Sequence, residues 1–149
     1  MSIRESSCQV VRTLDVVGEK WSLLVVRNAL RGETRFSEFK ASLGAPSDVL
    51  ANRLAKLVEV GVLEKRAYRE VGDRERSSYH LTPRGEALQV VIAAMIQWGD
   101  EFNPAPLGPV AVLSHDDDAV RLAYLDDDGV EVPRDRVAIR PGAAATITW

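Results

Sequence analysis

Three observations predict an α+β chain built on a winged helix-turn-helix. Two short helical patterns meet at Gly44-Ala45-Pro46, Gly61 closes the second of them, and two strand-like segments then flank a charged turn at 70–76. Helices on either side of this unit are expected to serve dimerisation, and a small β-rich appendage is expected at the C-terminal end.

The elements follow in order along the chain. Residues Cys8 to Val17 carry Val10, Val11, Leu14 and Val17 at helical spacing, and Lys20 to Leu30 carry Trp21, Leu24 and Val25 around much of the circumference, as a buried core helix would. In Arg35 to Leu43, the residues Phe36, Phe39 and Leu43 share one face. Pro46 has a fixed φ and no N–H to donate, so it suits the first turn of a new helix, and Asp48 sits where the helix dipole favours an anion. That helix is expected over about Pro46 to Glu59, with Leu50, Leu54, Leu57 and Val58 buried and a stop near Val60 at Gly61.

Val62 to Tyr68 and Ser77 to Leu81 read as the two strands of a hairpin, with the charged turn from Glu70 to Arg76 between them. A helix-turn-helix followed by such a hairpin can lay one helix in the major groove of DNA while the hairpin tip reaches phosphates nearby. The same fold also serves as a protein-protein adaptor, which is the alternative reading. Thr82 is placed to cap a long helix that opens at Pro83. Along it Leu88, Val91, Ile92, Met95, Ile96 and Trp98 cover more than one stripe, which fits either a partner subunit or a wider intramolecular core.

Asn103 to Pro109 reads as a rigid linker, which places a domain of residues 1–103 before an appendage of residues 104–149. In the appendage Val110–Leu113, Ala119–Leu125, Val130–Val132, Val137–Ile139 and Thr146–Trp149 are expected as five short strands, with a hairpin turn at Asp126-Asp127-Asp128-Gly129.

Several stretches together resemble the HxlR-type bacterial transcriptional regulators. They are Cys8, Leu14 to Leu24 with its Gly18-Glu19-Lys20-Trp21, Arg27, Gly32, Arg35-Phe36-Ser37-Glu38-Phe39, Arg53-Leu54, Gly61-Val62-Leu63, Tyr68, and Tyr79 to Gly85. The resemblance spans about Cys8 to Phe102. It implies a dimeric winged-helix protein of the bacterial cytoplasm that binds double-stranded DNA and regulates a nearby gene. It also implies that an N-terminal cysteine such as Cys8 senses oxidants or electrophiles in some members. The chain departs from the pattern at Pro46, where many relatives carry a capping serine, and in a longer wing. The segment from Asn103 onward lies outside the pattern.

With 149 residues, 46% of them hydrophobic, the chain can bury one proper core. The net charge of −3 argues against nucleic acid until the chain is divided. Residues 1–103 hold 15 Lys+Arg against 14 Asp+Glu, and residues 104–149 hold 4 against 8, so the acidity belongs to the tail. Residues 31–76 hold 10 basic against 8 acidic side chains, so affinity for phosphate has to come from placement more than from bulk charge.

The expected DNA contacts are Ser47, Asn52, Arg53 and Lys56 on the second helix and Arg74 and Arg76 at the wing tip. Asn52 has the donor-acceptor pair that reads adenine, Arg53 fits guanine or an ion pair within its own helix layer, and Lys56 suits phosphate. Arg74 and Arg76 suit phosphate or a minor groove. Cys8 is the single cysteine, so no intramolecular disulfide can form and a reducing compartment is expected. Its thiol near a helix start reads either as redox-sensing or as a small buried apolar group.

The aspartate runs 116–118 and 126–128 lack the spaced ligands of a calcium loop and read as solvated turns. One cysteine and two histidines make no zinc set, and no phosphate loop, nucleophile elbow or paired carboxylates suggest catalysis. No cofactor or metal is expected, and a small-molecule effector stays open. No apolar run approaches the roughly 18 residues of a membrane span, so a soluble cytoplasmic protein is expected. The function expected is that of a homodimeric, sequence-specific DNA-binding transcriptional regulator.

Overall fold

A computed structural model describes residues 8–72 and 74–143. The chain divides into two compact units between Gln89 and Val90, upstream of the change in composition at residue 103.

In the first unit, helix α1 (Gln9–Val17) begins after Cys8, its N-cap, and ends at Gly18, whose N–H bonds the Leu14 carbonyl at 2.7 Å. Helix α2 (Lys20–Leu30) buries Ser22, Val25, Val26 and Asn28, so of the expected Trp21, Leu24 and Val25 only Val25 is fully buried and two polar side chains join it. Helix α3 (Phe36–Leu43) stops at Gly44, which takes the left-handed φ of +63° that a residue with a Cβ rarely adopts. Helix α4 (Ser47–Glu59) follows after the three residues Gly44, Ala45 and Pro46. Pro46 is its N-cap and not its first helical residue, since its ψ of 140° is extended. The missing N–H costs nothing in that position, because a helix start leaves its first donors unpaired anyway.

The apolar stripes converge in one core of Phe39, Leu50, Leu54 and Leu57 with Val17, Val25, Val26, Val62 and Leu63, all buried. Each buried leucine or phenylalanine contributes about 1.5–3 kcal/mol relative to exposure. Val58 is half-buried at the edge of this core. A polar clasp ties α2 to α3. Buried Asn28 donates from Nδ2 to the Glu33 carboxylate at 3.1 Å and to Ser42 Oγ at 2.8 Å, and it accepts from Arg27 Nε at 2.8 Å. Ser42 Oγ in turn donates to Glu33 at 2.8 Å.

Strands β1 (Leu63–Tyr68) and β2 (Arg76–Leu81) pair antiparallel from Leu63 opposite Leu81 to Tyr68 opposite Arg76. Arg76 therefore lies in the ladder and not at the wing tip, because the strand extends one residue further than the apolar pattern of Ser77 to Leu81. Arg35 bridges to Ser78, and the Tyr79 N–H donates to the Thr34 carbonyl at 2.7 Å, so the segment before α3 lies along the outer edge of the hairpin.

Thr82 caps helix α5 (Pro83–Glu86), accepting from the Gly85 N–H at 3.2 Å and donating to the Gly61 carbonyl at 2.6 Å. Gly85 is packed so closely that an added Cβ would stand 2.2 Å from the Val62 carbonyl oxygen. The single long helix expected from Pro83 is broken here: Leu88 N–H turns back to the Gly85 carbonyl at 3.1 Å, and helix α6 (Gln89–Phe102) then begins. Gly85, packed against the Val62 carbonyl, holds α5 at the base of the wing.

In the second unit, α6 buries Ala93, and its Gln97 amide makes a reciprocal pair with the backbone of Leu122, at 2.9 Å and 3.2 Å. Glu101 takes a bidentate grip from Arg134 at 3.0 and 3.1 Å. Among the described residues the appendage has four two-residue strands. They are β3 (Ser114–His115) paired with β4 (Asp118–Ala119), and β5 (Tyr124–Leu125) paired with β6 (Glu131–Val132).

The hairpin at Asp126 to Gly129 forms as expected. Asp126 Oδ1 accepts from the N–H groups of Asp128 and Val130, and Gly129 takes a φ of +78°. Val110–Leu113 and Val137–Ile139 are not strands, and only the ends of Ala119–Leu125 are. Proline and aspartate turns cut each run short, and Pro133 diverts the chain into a 3₁₀ turn at Arg134–Arg136 before Val137. Thr146–Trp149 lies outside the described residues.

Candidate nucleic-acid interface

Helix α4 buries one face and leaves the other bare. With Leu50, Leu54 and Leu57 in the core, the 3.6-residue repeat turns Ser47, Asp48, Ala51, Asn52, Ala55, Lys56 and Glu59 outward, and all seven are exposed. Its entry is held by α3, where Lys40 Nζ donates to the Ala45 carbonyl at 2.6 Å. Ser47, Asn52 and Lys56 are thus brought to one surface, with Lys56 Nζ 3.1 Å from the Glu59 carboxylate.

Arg53 is set apart from them. Its Nη1 lies 3.4 Å from Glu19 Oε1, its side chain is only 25% exposed, and its Nε is buried with no partner among the described residues. The ion pair reaches across to the start of α2, not within its own helix layer. Asp48, Ala51 and Ala55 also belong to the outward face, though the sequence points only to Asp48, and that as a first-turn anion and not as a contact. Their positions one turn from Ser47, Asn52 and Lys56 carry the signal that would have found them.

The wing brings Arg74 and Arg76 to a groove shared with the start of α3, lined also by Phe36, Ser37, Tyr68 and Tyr79. Both arginines are exposed, as are Lys65 and Arg69. Other cations are neutralised locally. Arg35 pairs with Glu70 at 2.7 Å and lies 4.8 Å over the Tyr68 ring, and Arg66 pairs with Glu64. Lys65, Arg69 and Arg74 are exposed cations on the wing, with Glu75 beside Arg74 in the groove.

At the start of α3, Glu38 Oε2 accepts from the N–H groups of Thr34 and Arg35, both at 2.8 Å. These bonds to the charged form hold its carboxyl below the ordinary carboxylate range, and the Arg35 charge adds to the effect. The bonds fix the bend between the wing's outer edge and the helix-turn-helix.

Cys8 is half-buried as the N-cap of α1, remote in sequence from α4 and the wing. Among the described residues no group of three or more His, Cys, Asp or Glu is arranged to hold a metal ion. No described helix is long and apolar enough to cross a membrane.

Residues 16–106 match the HxlR-like helix-turn-helix family. The uncharacterised HTH-type transcriptional regulator Rv3095 of Mycobacterium tuberculosis is 42% identical over 115 residues, covering 77% of this chain and 72% of that protein. YdeP of Bacillus subtilis, another uncharacterised HTH-type transcriptional regulator, is 31% identical over 64% of this chain and 74% of its own length. Among solved structures, PA1607, a candidate transcription factor, superimposes with a TM-score of 0.81 at 36% identity over 95% of this chain and all of that one. The reduced form of the transcriptional regulator YodB from B. subtilis gives a TM-score of 0.55 at 27% identity over 66% of this chain and 96% of that one. The redox regulator HypR in its oxidised form gives 0.58 at 28% identity over 66% of this chain and all of that one. Matched over well more than half its length, this chain belongs to the HxlR-like helix-turn-helix family and is a transcriptional regulator of the helix-turn-helix type.

Proposed function

We propose that this regulator acts as a homodimer that lays the outward face of α4 in the major groove of double-stranded DNA. Arg74 and Arg76 of each wing meet phosphate or the adjoining minor groove. The observation that carries this reading is the division of α4 itself. Its apolar residues are consumed by the core, while Ser47, Asn52 and Lys56 stand exposed on a helix held rigidly by α2 and α3. Arg53 supports that helix from behind and belongs to its scaffold.

Two copies double the modest positive charge of residues 31–76 and match a site with two half-sites about one helical turn apart. Exposed apolar side chains on the flanking helices supply candidate partner surfaces: Val10 and Leu14 on α1, and Val90, Met95, Trp98 and Phe102 on α6. Cys8, half-buried where α1 begins, is the proposed point of redox input. Peroxide would pass one oxygen to its sulfur, leaving sulfenic acid and water. The likeness to the redox regulator HypR supports this reading.

The test is fluorescence anisotropy of the purified protein with duplex DNA from upstream of its own gene, over a salt series and against a scrambled duplex. Sequence-dependent binding with a steep salt slope supports the proposal. Absence of any preference, repeated with duplexes selected from a random library, overturns it in favour of a protein-binding winged helix.

A further inference from the structure

The chemistry exposed on α4 goes beyond the general reading of a groove-binding helix, on which this inference rests. An arginine forked onto O6 and N7 of guanine is the commonest specific contact in the major groove. Helix α4 has one arginine, and Arg53 is turned inward, with its Nη1 on Glu19 and its Nε buried. Lys56, exposed and 3.1 Å from Glu59, is a flexible point charge that suits phosphate more than the planar edge of a base.

What remains at the centre of the outward face is different in kind. Asp48 and Asn52 are four residues apart, hence stacked on successive turns, with Ala51 and Ala55 beside them; all four are exposed. A carboxylate only accepts, and an asparagine amide accepts through its oxygen while donating through its nitrogen. Adenine presents an N6 amine beside an N7 acceptor, which an asparagine matches on both atoms, and cytosine presents an N4 amine alone, which a carboxylate matches. Methyl side chains at 51 and 55 add no polar group and leave room for the thymine methyl.

We infer that α4 selects its half-site by accepting from exocyclic amino groups, with adenine at Asn52 and adenine or cytosine at Asp48, and forks no arginine onto the O6/N7 edge of guanine. The carboxylate at position 48 also works against guanine, since its lone pairs would meet two further acceptors there.

Selection from a random duplex library with the wild-type protein, with Asn52→Ala and with Asp48→Ala assigns the base pairs that each residue reads. Both positions are exposed, so neither variant disturbs the core. The Asn52-dependent position is expected to be A·T. Replacing its adenine by purine, which lacks the 6-amino group, should weaken binding about tenfold or more. Replacing every guanine of the half-site by 7-deazaguanine should leave the affinity within about twofold, since no arginine fork on N7 is lost. A G·C pair at the Asn52-dependent position, no position dependent on Asn52, or a large loss with 7-deazaguanine overturns the inference while leaving DNA binding intact. Failure of the wild-type protein to enrich any sequence would overturn the DNA-binding proposal itself.

Discussion

Arg53 Nη1 on helix α4 stands 3.4 Å from Oε1 of Glu19, the residue that caps α2. This pair anchors the back of the candidate reading helix to the junction between α1 and α2. Removing the carboxylate leaves a three-quarters-buried guanidinium without its partner. Glu19→Gln should therefore lower stability by about 0.5–1 kcal/mol, the range for a partly exposed pair. Arg53→Met, which keeps the stem, should leave the selected DNA sequence unchanged. Urea denaturation measures the first effect and library selection the second. A changed base preference in Arg53→Met would return Arg53 to the reading surface.

Asn28 is the most consequential polar residue in the core. Its amide satisfies Glu33, Ser42 and Arg27 at once, so Asn28→Ala leaves three groups short of a partner. A loss of about 2–3 kcal/mol is expected, in line with the cost of orphaned polar groups. Chemical denaturation of the variant checks it. A loss below half that size would mean that water replaces the clasp.

Gly85 admits no side chain. A Cβ there would meet the Val62 carbonyl at 2.2 Å and the Leu81 side chain at 2.9 Å, so Gly85→Ala must push α5 away from the base of the wing. Overpacking of this kind typically costs about 1–3 kcal/mol. Differential scanning calorimetry should record a lowered Tm. An unchanged Tm would show that the base of the wing yields freely.

These residues also mark how far the sequence can be read. Proline at 46 and glycine at 44 and 61 punctuate α3 and α4 through backbone rules that act locally, so those helices were legible to within a residue. Arg53 and Asn28 were not, because their partners Glu19 and Ser42 lie 34 and 14 residues away in the chain and only packing brings them together. The break at Ala87-Leu88 was hidden because both residues are good helix formers, and the cause sits at Gly85 against Val62. In the appendage, apolar runs such as Val110–Leu113 suggested strands, but pairing there is set by the short turns at 116–117 and 126–130.

Glu38 gives the account a pH dependence. Its folded carboxyl titrates below its unfolded value because the Thr34 and Arg35 N–H groups bond the charged form. A lowered folded value contributes stability that is present above the unfolded value and is lost as pH falls through the folded one. The stability difference between wild type and Glu38→Gln should therefore be largest near neutrality and shrink as the solution is acidified past the carboxylate range. Urea midpoints taken from pH 7 down to pH 3 would trace it. A difference that stays constant with pH would assign the role of Glu38 to geometry alone.

The proposed dimer has its own test. Leu14 on α1 is 56% exposed and Trp98 on α6 is 60% exposed, so both are open to a partner surface. Sedimentation of the wild-type protein should give twice the 16.4 kDa chain mass, and the paired change Leu14→Glu and Trp98→Glu should shift it to the monomer. A wild-type monomer at micromolar concentration would contradict the proposal.

The central claim is that the outward face of α4, together with the wing, binds DNA. It is tested most directly by anisotropy titration of one duplex with wild type and with the triple variant Lys56→Glu, Arg74→Glu, Arg76→Glu. Circular dichroism on both proteins verifies that the fold is kept. A loss of about a hundredfold or more and a flatter salt slope are expected for the variant, since each cation that meets phosphate releases a counterion. Equal affinity of the two folded proteins would contradict the claim and move the binding surface elsewhere.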